Sequence, residues 1–127
     1  MKTPALSHVL VAACIALLLN SAYLAAFSSP TLWYYANVAV HPLLGFVLAV
    51  AVMPGVWLRR RVIGSLAAAG LIGVGVSLLL GLVVLVVGAT RPYRPILYAH
   101  VATATIGSGL LAVHIWRVAS GSRVTVR

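Results

Sequence analysis

Four apolar stretches of membrane length, joined by links as short as SSPT, RRR and TRPYRP, leave few folds open to this chain. They cover roughly residues 4–27, 32–58, 62–89 and 95–119. Each holds about 20 or more apolar residues, enough for a helix to cross a hydrocarbon core of about 30 Å. Links that short require consecutive helices to be antiparallel neighbours. The expected fold class is therefore an all-α membrane protein, a four-transmembrane-helix up-down-up-down bundle in a single domain over 1–127, ending in a basic tail at 120–127. Composition agrees: of 127 residues 63% are hydrophobic and 7% are charged, against about 25% charged in a soluble domain. The first stretch has the look of a signal peptide, and VAAC of a lipoprotein cleavage box, but too little apolar sequence precedes Cys14 and the run continues to Phe27. It is read as the first span, with Thr3 as its N-cap and Pro4 at the first helical position, where proline is tolerated.

The chain has no Asp or Glu and a formal net charge of +9. Its basic residues sit between apolar stretches, so they point to topology and anionic lipid rather than to nucleic acid. Lys2, Arg59, Arg60, Arg61, Arg117, Arg123 and Arg127 fall on one side, and only Arg91 and Arg94 fall on the other. That bias puts both termini in the cytoplasm of a multi-pass protein in a bacterial-type inner membrane. Trp33, Tyr34, Tyr35, Tyr93 and Tyr98 then form an outer aromatic belt, and Trp57 and Trp116 an inner one. The one cysteine, Cys14, excludes an internal disulfide and is expected as a small buried residue.

Polar and small residues interrupt the spans at definite places. Gly70, Gly73, Ser77, Gly81 and Gly88 share roughly one face of span 3, which predicts close helix packing and also suits the approach of a flat cofactor. Asn37 is expected to cap a shifted start of span 2 rather than to meet a quinone, and Asn20 lies near the outer end of span 1. Pro42 and Pro54 are expected to kink span 2.

The four histidines form two pairs by depth. His41 and His100 lie near the outer surface, and His8 and His114 near the inner one. Ionisable residues within spans call for a function. The fourteen residues from His100 to His114 are four turns at a period of 3.5, so both share a face in a left-handed bundle, about 21 Å apart along the axis. Two histidines from different helices at one level are what a bis-histidine haem b requires, and two levels make room for two haems. CxxCH is absent, which excludes covalent attachment, and two ligands per level suit zinc poorly. The predicted axial ligands are His41 and His100 for an outer haem and His8 and His114 for an inner one. Gly45 and Gly107 would clear space for the rings, and Arg91 and Arg94 would meet outer propionates. A small transporter ranks below this reading, because the spans carry no carboxylate.

This pattern resembles the membrane cytochrome b subunits of respiratory formate dehydrogenases and nickel–iron hydrogenases, with related thiosulfate and thiol-reductase subunits. That family carries one haem ligand in its first helix, one in its second and two in its fourth, positions that correspond to His8, His41, His100 and His114. The resemblance implies a diheme conduit, the electron-transfer subunit of an oxidoreductase complex. It would link a periplasmic or extracellular redox partner, at the outer haem, to the quinone pool near the cytoplasmic face. The chain departs from the family in its shorter length, minimal loops and lack of any acidic residue. The alternative is a non-haem anchor or assembly subunit of a larger complex.

Overall fold

The computed structural model describes residues 4–27 and 29–121, with side chains from residue 8 onward. Thr3, Lys2, Arg123 and Arg127 lie outside the described residues, as does the tail beyond Gly121. The described residues form α1 (Pro4–Ala26), α2 (Leu32–Arg59), α3 (Ser65–Val87), a single 3-10 turn at Arg91–Tyr93, and α4 (Arg94–Gly121), with no strand. All four α-helices hold segments long and apolar enough to cross a membrane. The fold class is the expected one: all-α, with four membrane-spanning helices. In hydrocarbon a helix satisfies its own backbone, which an isolated strand cannot do.

The helix ends have local causes. α2 starts where Thr31 Oγ1 accepts the Tyr34 N–H at 3.2 Å, so Thr31 is its N-cap. Asn37 is not a cap. It lies inside α2, and its Nδ2 donates to the Trp33 carbonyl at 2.8 Å. α2 runs through Pro42 and Pro54 without a break. α3 is shorter than expected at both ends. Its start waits for Gly64, whose backbone is extended, and its end is set by Gly88 at φ +75°, whose N–H returns to the Val84 carbonyl at 2.8 Å. Gly88 is thus a helix terminator and not part of a packing face. α4 begins one residue earlier than expected, directly after the 3-10 turn that holds Pro92 in its first positions.

The chain divides into two compact units, Met1–Leu58 and Arg59–Arg127. In the second unit, α3 and α4 touch backbone to backbone. A Cβ placed on Gly107 would lie 2.7 Å from the Val74 nitrogen and 2.9 Å from the Gly70 oxygen. One on Gly73 would lie 3.0 Å from the Gly107 Cα, and one on Gly70 would lie 2.8 Å from the Leu111 Cγ. Partners descend α4 from Leu111 through Gly107 to His100 as they ascend α3 from Gly70 to Gly81, so the pair is antiparallel. The small-residue face on α3 does the close packing expected of it, over Gly70, Gly73, Ser77 and Gly81.

The first unit is joined by side chains instead. Asn20 of α1 donates through Nδ2 to Asn37 Oδ1 of α2 at 2.7 Å, and Ser21 approaches His41. Among the described residues the buried apolar side chains are Leu48 and Ala67, and the buried polar ones are Asn20 and Ser77. Large apolar residues such as Leu19, Leu79 and Ile106 are exposed. Small and polar inside with apolar outside is the arrangement expected of helices solvated by lipid. Cys14 follows the same rule: it is exposed, not buried as expected, because it lies off the stripe of Leu10, Ala13 and Leu17 that α1 turns inward.

Candidate functional site

Three of the four histidines lie on the half-buried stripes of their helices. His41 shares its stripe on α2 with Tyr34, Asn37 and Leu48. His100 and His114 share one stripe on α4 with Thr103, Gly107 and Leu111, at the seven-residue repeat expected for a common face. His8 differs. It is exposed and lies off the inward stripe of α1.

His100 is the most closely held. Its Nδ1 lies 2.7 Å from the Ser77 carbonyl oxygen and 3.1 Å from Ser77 Oγ. The Ser77 hydroxyl also donates to the His100 carbonyl at 3.1 Å. A carbonyl only accepts, so Nδ1 carries the proton, and in the neutral ring Nε2 carries the lone pair. The ring fits there because residue 81 is glycine: a Cβ on Gly81 would come within 2.9 Å of His100 Cε1. Ser77 is 4% exposed, so these bonds lie where water does not compete.

His41 has a looser counterpart. Its Nδ1 lies 3.4 Å from Ser21 Oγ, whose own hydroxyl donates to the Leu17 carbonyl at 2.8 Å. A hydroxyl can donate or accept, so this contact, unlike the carbonyl at His100, is compatible with either tautomer of His41. His41 and His100 thus each meet a serine from the preceding helix of their own unit.

The remaining expected residues fall as follows. Arg91 and Arg94 are exposed at the 3-10 turn and the first residue of α4. Gly45 opens onto empty space, with nothing within 4 Å of a Cβ placed on it. Gly107 does not: α3 backbone fills its vacant side, so this glycine serves helix contact and not the porphyrin clearance expected of it. His8 and His41 belong to the first unit and His100 and His114 to the second, so each expected pair draws one histidine from each. Ser21, Ser77 and Gly81 were not marked as histidine partners by the sequence. Ser77 and Gly81 stood out only as small residues on a face.

Among the described residues no three of His, Cys, Asp or Glu gather into a metal-binding group. A porphyrin supplies its own in-plane nitrogens and asks the protein for only one or two axial imidazoles, so a haem suits this donor set better than a bare ion does. Comparison with family models, with curated proteins and with solved structures finds no match.

Proposed function

We propose that this chain is a membrane-embedded diheme b-type cytochrome subunit. It carries electrons across the bilayer between a periplasmic or extracellular redox partner and the quinone pool, within a larger membrane complex. The observation that carries this reading is that His41 and His100 each engage Nδ1 with a serine of the preceding helix, the side of the ring opposite to Nε2, the usual axial nitrogen for haem iron. On this reading His41 and His100 hold the outer haem and His8 and His114 the inner one. Arg91 and Arg94 are exposed at the N-terminal end of α4; on this reading that end faces outward, and they offer charge to propionates and to an acidic docking partner. Haem b, when bound, supplies reversible one-electron chemistry. The chain itself has no carboxylate, so proton exchange with a quinone near the inner face falls to His8, His114, water or a neighbouring subunit. The arginines at 59–61 and Arg117 lie where anionic lipid headgroups gather on the cytoplasmic leaflet.

One observation favours the second reading, a non-haem anchor subunit. His100 already has a structural role between α3 and α4, with Ser77 and Gly81 shaped around it. A reduced-minus-oxidised spectrum with a pyridine-haemochrome assay separates the two. The diheme reading expects sharp bis-histidine bands and about two haems per chain, and His100→Ala should lower this to about one. A purified wild-type chain without haem would leave the anchor reading standing.

A further inference from the structure

We propose that Ser77 and Gly81 form a socket that orients His100 and sets its strength as an iron ligand, making them positioning residues for the outer haem. The inference rests on the diheme reading. Residues 77 and 81 are one turn apart on α3, so both address the same level of α4. Gly81 provides the space: a Cβ there would stand 2.9 Å from His100 Cε1 and 3.1 Å from Nδ1, where the ring now lies. Ser77 provides the bonds. Its carbonyl accepts from Nδ1 at 2.7 Å, and its hydroxyl ties the His100 backbone through the carbonyl at 3.1 Å. An imidazole that donates from Nδ1 to a carbonyl becomes a more basic ligand through Nε2. A more basic ligand favours ferric over ferrous iron and lowers the potential.

The socket can be broken without breaking the helix pair. A methyl group at residue 81 meets the far end of a side chain, which can swing away, whereas one at Gly107 meets the backbone of α3. Gly81→Ala should therefore push the imidazole off the Ser77 carbonyl and leave α3 and α4 together. Gly75→Ala, on the same helix with open space around it, is the control.

The test uses full-length protein purified with its own haem, comparing wild type, G81A, S77A and G75A. Potentiometric titration follows each haem, haem stoichiometry follows retention, and nitrogen NMR of labelled histidine in bilayers reads the Nδ1 proton. G81A should raise the outer potential and weaken outer haem retention roughly ten- to hundredfold, with the inner haem unchanged. S77A, which keeps the backbone carbonyl, should shift the potential less, and G75A should not shift it. Wild-type protein without haem overturns the diheme reading and this role with it. Wild-type protein holding two haems but lacking a hydrogen-bonded Nδ1 proton on His100 overturns the socket alone, and that measurement needs no variant to fold. An unaltered outer potential in folded G81A does the same.

Discussion

Asn20 poses the sharpest question at the scale of single residues. It is 9% exposed, its Nδ2 donates to Asn37, and its Oδ1 is buried with no hydrogen-bond partner in the structure. Turning the amide over does not help. Asn37 commits its own Nδ2 to the Trp33 carbonyl, so a flipped Asn20 would set oxygen against oxygen. The pair therefore contributes one short interhelical bond, with a longer one from the same Nδ2 to the Asn37 carbonyl at 3.5 Å, and carries one unsatisfied acceptor. Bonds of this kind in membranes are worth about 0.6 kcal/mol on average and up to about 2 kcal/mol, and an orphaned buried group costs about 1–3 kcal/mol. Asn20→Leu should thus be neutral or stabilising. Asn37→Leu, which strips Asn20 of its good acceptor as well, should destabilise by about 1–2 kcal/mol. Unfolding curves in mild detergent, run on both variants, give the order; the reverse order would mean that Asn20 has a partner outside this chain.

Elements are joined in two different ways. α1 and α2 meet through polar side chains, while α3 and α4 meet through glycine backbone. This difference predicts different responses to adding a methyl group. At Gly107 the added carbon meets the Val74 nitrogen and the Gly70 oxygen, backbone atoms that cannot rotate aside. Gly107→Ala should cost about 1–3 kcal/mol, the usual range for overpacking. Gly75→Ala and Gly109→Ala, where nothing lies within 4 Å, should be neutral or gain up to about 1 kcal/mol in helix preference. Thermal unfolding of the three variants side by side measures this. Equal losses at all three positions would show that the α3–α4 contact does not depend on backbone approach.

For the molecule as a whole, orientation in the bilayer decides which side each helix end faces and, under the proposed function, which haem would meet which partner. Seven basic residues on one side against two on the other expect both termini in the cytoplasm. A C-terminal reporter active only in the cytoplasm should follow, and adding lysines to the 28–31 link should weaken that preference. Activity only on the periplasmic side would exchange the inner and outer labels, and would put Arg91 and Arg94 on the cytoplasmic side. The contacts of His41 with Ser21 and of His100 with Ser77 would be unaffected, because they are made within each helix pair.

Length, hydropathy and link size were enough to place four spans to within a few residues, because crossing a membrane depends on sums along the chain. The common stripe of His100 and His114 was likewise legible, since the helical repeat alone brings residues seven apart to one face. So was the packing role of Gly70 and Gly73. What depends on a second helix was not legible. Asn37 reads locally as a cap, yet its hydrogen bonds go to Trp33 and Asn20, and the cap is Thr31. Gly107 reads as clearance for a ring, yet α3 fills that side. Gly81 and Ser77 read as small residues on a face, and only the fold brings the His100 imidazole between them. Which nitrogen of a histidine holds its proton is settled by the acceptor beside it, and that acceptor comes from a helix more than twenty residues away in the chain.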